Sequence, residues 1–230
     1  MKIAIDGPAA SGKSTLGAAL AEKLGYLYFD TGVMYRAVTL AVLENNIDIT
    51  DPQAVLRVVQ TVHIEVTPPD HVNDGRQYTV WLDGIDVTWR VRQTDIDAQV
   101  SIPSTYAEVR AELVRQQRRI GERGNVVMVG RDIGTTVFPD ADLKIYLDAT
   151  VEERARRRTQ EMLARGQVAD SMQVLNNMRE RDRLDSSRVA SPLRPAQDAL
   201  IIDNTQSSVE EVLNALLTLI AHIQSSGANC

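Results

Sequence analysis

Apolar residues fall into two kinds of run along this chain, and their alternation predicts the architecture. Short unbroken runs stand at Lys2-Ile3-Ala4-Ile5-Asp6, Tyr26-Leu27-Tyr28-Phe29, Val126-Val127-Met128-Val129-Gly130, Leu143-Lys144-Ile145-Tyr146-Leu147 and Ala199-Leu200-Ile201-Ile202-Asp203. Runs of this length predict strands of the kind buried in a parallel sheet. Between them the period lengthens. Leu16, Leu20 and Leu24 recur at helical spacing before Gly25, which predicts a helix from Ser14 closed by a glycine cap. Further helices are predicted over Val33 to Glu44, from Thr50-Asp51-Pro52 to about Gln60, and from Pro103 to Gly121. Capping boxes at Thr150-Val151-Glu152-Glu153 and Ser208-Val209-Glu210-Glu211 open two more, the first ending at Gly166, with another helix between them over Ser171 to Leu184.

One stretch breaks the alternation. His63 to Val66, Gln77 to Asp83 and Ile85 to Thr88 carry the two-residue period of half-exposed strands. Asp83-Gly84 is a tight hairpin signal, while Pro68-Pro69 and Asn73-Asp74-Gly75 mark a loop. Residues 62–91 therefore form a small antiparallel lobe, with Trp81 and Trp89 as its core. The whole is an α/β fold: a doubly wound, five-stranded parallel sheet with a small antiparallel β insertion. In such sheets ligands collect at the carboxyl ends of the strands.

The first strand exit carries the strongest chemical signal. Gly7-Pro8-Ala9-Ala10-Ser11-Gly12-Lys13-Ser14 reads G-x-x-x-x-G-K-S between a strand and a helix. Glycines let the backbone turn so that successive N–H groups face a phosphate, and the helix aims its positive end at the same anion. Lys13 adds a charge near the outer phosphates, and the Ser14 hydroxyl is the candidate magnesium ligand. Gly7 through Ser14, with Thr15 behind them, are read as the ATP-binding residues. The loop does not say what receives the phosphate.

Composition narrows the class. The formal net charge is −6, which disfavours a general nucleic-acid surface. Lysines number only four, against 21 arginines, and guanidinium forks suit phosphates. The single cysteine, Cys230, can make no internal disulfide, the first residues enter a strand without a charged leader, and no apolar run approaches the length of a membrane span. A cytoplasmic protein without a membrane or nucleic-acid partner, acting as a monomer, is expected.

An anionic acceptor would need arginines converging from several segments. Arg36, Arg110, Arg131, Arg181 and Arg188 are candidates, with the run Arg154, Arg156, Arg157, Arg158. For any one of these the plain alternative is a solvated helix face. Arg131 differs because it leaves a buried strand beside the phosphate loop, and it is expected to matter far more to turnover than Arg76 in the lobe loop. The histidines His63, His71 and His222 have no metal-site spacing and receive no role. GTPases read guanine with an Asn-Lys-x-Asp box; this chain has none, nor any Asp-x-x-Gly segment, so a regulatory GTPase does not fit.

Four segments together resemble the bacterial cytidylate kinases, within the nucleoside monophosphate kinases. They are Ile5 through Thr15, Asp30-Thr31-Gly32-Val33-Met34-Tyr35-Arg36, Gly130-Arg131-Asp132-Ile133-Gly134-Thr135-Thr136-Val137-Phe138-Pro139, and Arg181 through Arg188. The resemblance implies transfer of the γ-phosphoryl of ATP to CMP or dCMP with Mg2+. It places Lys13, Arg131, Arg158 and Arg188 in catalysis, and Arg157 at ATP. Arg36, Arg131 and Arg188 would grip the acceptor phosphate; Ser101, Arg110 and Asp132 would read cytosine; Arg181 and Asp185 would meet the sugar. Asp30, Thr31 and Tyr35 complete the acceptor side, Thr31 standing where serine is common. It also implies that 62–91 is the monophosphate-binding lobe, that 151–189 forms a helical lid with the acceptor-contacting helices, and that 1–61, 92–150 and 190–225 form the core. A kinase for another monophosphate or a small alcohol is the alternative, and an ATP-binding switch module a more distant one.

Overall fold

A computed structural model of the chain describes residues 1–227 except 70, 71, 73, 165, 167 and 189. His71, Asn73 and Cys230 thus lie outside the described residues. The large sheet contains β1 (Lys2–Asp6), β2 (Leu27–Asp30), β6 (Val126–Val129), β7 (Leu143–Asp148) and β8 (Leu200–Asp203), all parallel, in the order β2-β6-β1-β7-β8. β1 is central because Ile3, Ala4 and Ile5 can be covered on both faces, and all three are essentially inaccessible. β2 and β6 lie to one side of it and β7 and β8 to the other, so the winding reverses at the exit of β1. That is where a crevice opens in this kind of sheet.

Local signals explain most element ends. α1 (Lys13–Leu24) stops at Gly25, whose φ of 67° is left-handed. α2 spans Gly32–Glu44. α3 (Pro52–Thr61) starts with the Asp51 carboxylate accepting from the Gln53 and Ala54 amides, Pro52 needing no partner for its missing N–H. α6 (Val151–Ala164) follows β7, and Asp170 caps α7 (Ser171–Ser186). Ser208 and Glu211 satisfy each other's amides before α8 (Val209–Gly227). Helix α1 packs on α8, whereas α2, α3 and α5 (Ala107–Gly121) form a second group and α6 packs on α7.

The insertion is a three-stranded antiparallel sheet, β3 (Ile64–Thr67), β4 (Thr79–Leu82) and β5 (Ile85–Asp86). Asp83 and Gly84 at its hairpin both have positive φ, 50° and 80°, as a tight turn matching strand twist demands.

Five expectations are corrected. The helix expected from Pro103 begins at Ala107, because Pro103–Thr105 forms a separate 3-10 turn. The strand expected over Ile85 to Thr88 ends at Asp86, whose carboxylate takes the Thr88 amide and hydroxyl. β8 is an edge strand: Leu200 and Ile201 are 42% and 63% exposed, so its apolar run reflects strand formation rather than burial on both faces. Trp89 is half exposed rather than core, stacking on Arg92 and donating to Asp74. Arg76 is no loose loop residue. Its side chain is 6% exposed and donates to Asp74, Asp86, Thr79 and Thr88, so it ties the lobe together. Three elements carry no readable signal: the 3-10 turn Arg90–Arg92, the short helix α4 (Thr94–Gln99) and a π-helical turn over Ile133–Val137.

Candidate active site

The phosphate loop leaves β1 with two positions that only glycine fills. Gly7 has φ 146°, and a Cβ there would lie 2.0 Å from the Leu147 carbonyl oxygen. Gly12 has φ 97°, and a Cβ would meet Asn204 Nδ2 at 2.8 Å. That Asn204 nitrogen donates to the Ser11 carbonyl at 2.8 Å, pinning the loop to the exit of β8. Lys13 is buried, with Nζ 2.5 Å from the Pro8 carbonyl oxygen and 3.5 Å from Ser11 Oγ. Burial first, and the Arg131 charge second, hold its ammonium well below the usual lysine range. An anion in the loop would relieve both effects.

Ser14 Oγ donates to Asp30 Oδ2 at 3.0 Å, so the candidate magnesium ligand faces a carboxylate at the exit of β2. Hydroxyl and carboxylate oxygens are the hard donors magnesium takes. Among the described residues no group of three His, Cys, Asp or Glu is placed to hold a metal. The sequence resemblance implies only an acceptor-side role for Asp30.

Four arginines converge on the cleft beside the loop. Arg131 Nε donates to Asp185 Oδ2 at 2.7 Å and its Nη1 reaches the Gly7 carbonyl at 3.3 Å. Arg188 pairs with the other oxygen of Asp185, which is 2% exposed. Burial alone would raise the Asp185 carboxyl, but Arg131 and Arg188 hold it below the usual range. Desolvation in the cleft lowers Arg181, and Arg131, Arg36 and Arg188 lower it further. Asp185 alone does not balance Arg131, Arg181 and Arg188, and an acceptor phosphate would supply the missing charge. Arg36 donates to the Val91 carbonyl and pairs with Asp97, linking α2 to the segment that follows the lobe.

Next to this cluster lies a buried pair. Arg110 Nη2 donates to Asp132 Oδ2 at 2.6 Å, with side-chain exposures of 5% and 9%. The Arg110 guanidinium lies 5.6 Å from the Tyr35 ring centre, and burial pushes the Tyr35 hydroxyl up to about 12. Arg110 Nε is buried without a partner, an unmet donor in the wall of the site.

The remaining sites are less direct. Ser101 is exposed on the turn whose Ser104 carbonyl accepts from Arg110. Thr31 is buried with its hydroxyl on the Val129 carbonyl at 3.0 Å, so that group closes the backbone at the exit of β6. In the arginine run, Arg154 rather than Arg158 touches the phosphate loop. Its Nη1 donates to Ala9 O, and it forms a bidentate pair with Asp182 of α7. Arg157 donates to the Asn204 carbonyl, and Arg158 pairs with Glu161 one turn along. Helical periodicity could have singled out Arg154 only with the β7 exit already placed.

Asp6, at the exit of β1, is 3% exposed and accepts from the Ile133 and Gly134 amides at 2.7 Å each. Burial pushes its carboxyl up to about 6. The folded state thus holds this proton more tightly than the unfolded chain, and ionising Asp6 costs stability as pH rises through about 4 to 6. Between pH 4.5 and 7.5, the difference in unfolding free energy between Asp6→Asn and wild type is expected to shift by about 2 kcal/mol in the variant's favour. Denaturant titrations across that range check it; parallel curves would contradict it.

A family model described as cytidylate kinase matches residues 3–222. The chain belongs to the cytidylate kinase family. It is 52% identical to a cytidylate kinase of Roseiflexus castenholzii over 219 residues, covering 95% of this chain and 93% of the relative. It is 46% identical to that of Bacillus subtilis over 220 residues, 96% of each. Among solved structures, an uncharacterised protein from Eubacterium ventriosum shares the fold with a TM-score of 0.51 at 12% identity, over 96% of this chain and 98% of that one. No helix among the described residues of this family member is long and apolar enough to cross a membrane.

Proposed function

We propose that this chain transfers the γ-phosphoryl of ATP to CMP or dCMP, giving ADP and CDP or dCDP. The observation that carries the reading is Arg131. One guanidinium is bonded both to the phosphate loop at Gly7 and to the acceptor-side carboxylate Asp185, so two anion sites meet at one cation.

Phosphoryl transfer asks for alignment and charge neutralisation more than covalent chemistry. The phosphate-loop amides and Lys13 hold the donor's β- and γ-phosphates. Arg36, Arg131 and Arg188 hold the acceptor phosphate, with Arg181 and Asp185 toward the sugar. Ser14, with Asp30 behind it, would hold magnesium, which would supply positive charge against the negative charge developing on the phosphoryl group in transfer. The arginines of α6 close over ATP and exclude water, which otherwise competes as acceptor. The enzyme works as a cytoplasmic monomer.

Base choice falls to Arg110 and Asp132. Cytosine offers an exocyclic amine to a carboxylate and a carbonyl and ring nitrogen to a guanidinium; uracil offers a carbonyl where the amine was, facing the Asp132 carboxylate without a proton. Asp132→Ala is expected to lower kcat/KM for CMP by about 100-fold and for UMP by less than about tenfold. Chromatographic detection of CDP and UDP formed from ATP measures both; equal losses would remove Asp132 from base reading, and no CDP from the wild type would overturn the function.

A further inference from the structure

We infer that Asp6 is a positioning residue for base selection: its carboxylate caps the Ile133–Val137 turn from a neighbouring strand and so frees Asp132 to pair with Arg110. The inference rests on the acceptor-site reading above. Asp132 occupies the N-cap position of that turn, with φ −146° and ψ 25°, yet makes no side-chain cap bond. An aspartate at an N-cap ordinarily takes the second or third amide of its own turn, here Gly134 or Thr135. The Gly134 amide, with that of Ile133 before it, is already taken. Asp6 Oδ1 accepts from the Ile133 amide and Oδ2 from the Gly134 amide, at 2.7 Å each, across 127 and 128 residues of chain. The Asp132 carboxylate is thereby available to Arg110 at 2.6 Å.

The neighbouring residue strengthens the grip. The Gly7 carbonyl accepts from Arg131, so the dipeptide Asp6-Gly7 holds both ends of the Arg131–Gly134 segment. Phosphate gripping and base reading are therefore set by one strand exit. Buried amides cannot be left unpaired cheaply. If Asp6 could accept only one of them, the nearest replacement would be Asp132's own carboxylate. Taking that bond means leaving Arg110, whose Nε already has no partner. Base discrimination would fall while the phosphate loop kept its lysine and its amides.

Asp6→Asn is the direct test, because the amide side chain keeps one acceptor and turns an NH2 toward the other N–H. The ratio of kcat/KM for CMP over UMP is expected to fall about tenfold or more, with the affinity for a non-hydrolysable ATP analogue within about threefold of wild type. A purely structural role would scale both acceptors alike. An unchanged ratio overturns the inference, whether or not turnover drops, as does a loss of ATP affinity larger than the change in the ratio. Wild type without a preference for CMP would instead overturn the acceptor reading. Should the variant not fold, the wild type still decides. The Ile133 and Gly134 amide resonances must then titrate together with the Asp6 carboxyl carbon, which faces Lys13, Asp132 and Tyr146. Independent titration overturns the clamp.

Discussion

Arg131→Ala is expected to lower kcat/KM for CMP by about 10³-fold, or about 4 kcal/mol of transition-state stabilisation. The size follows from the position. Arg131 is the guanidinium shared between the phosphate loop and Asp185, so its loss removes charge where the proposed donor and acceptor phosphates would meet. It also leaves a buried carboxylate with Arg188 as its remaining close partner. Affinity for an ATP analogue should stay within about threefold, because the loop amides and Lys13 are untouched. Arg183→Ala is the matched control. Its side chain is 65% exposed and pairs with Glu180 on the same helix, so turnover should change less than about twofold. Steady-state kinetics on both variants checks the pair, and similar losses would sink the phosphate clamp. Arg76, which the sequence offered as the inert comparison, would confuse the result, since it staples the lobe.

Gly7→Ala carries the second large effect. The added methyl would stand 2.0 Å from a backbone oxygen of β7, at a φ of 146° that side chains rarely adopt. Neither strand can give way without breaking the ladder between β1 and β7. Strain of this kind is expected to cost on the order of 3–5 kcal/mol, lowering the melting temperature by roughly 10 °C. Turnover should be lost along with it, because the Gly7 carbonyl that receives Arg131 moves too. Thermal unfolding with and without ATP reads both consequences; a wild-type melting temperature with normal turnover would contradict the loop geometry.

What could be read from the chain beforehand was what is encoded locally. The phosphate loop is a matter of glycine spacing between a strand and a helix, and the Asp83-Gly84 hairpin one of two residues that tolerate positive φ. Arg131 was marked because a strand exit beside that loop is a predictable place. The rest depended on residues far apart in sequence. Nothing near Asp6 announces that its partners are amides at 133 and 134, and the π-helical turn there has no period to detect. Nor could spacing show that Ser14 faces Asp30, or that Arg154 rather than Arg158 reaches the phosphate loop. Burial on a helix is visible as periodicity, but which neighbour a buried arginine meets is set by strand order. The resemblance to cytidylate kinases implies the acceptor's identity, and the buried Arg110–Asp132 pair is the group proposed to read its base.

The acceptor decides the function. ADP release coupled to a reporter, measured with ATP and Mg2+ over CMP, dCMP, UMP, AMP, GMP and shikimate, tests it most directly. CMP and dCMP should give the highest kcat/KM, with UMP about tenfold or more below and AMP, GMP and shikimate near background. Turnover with CMP no faster than hydrolysis by water, or a clear preference for a purine nucleotide or shikimate, would contradict it.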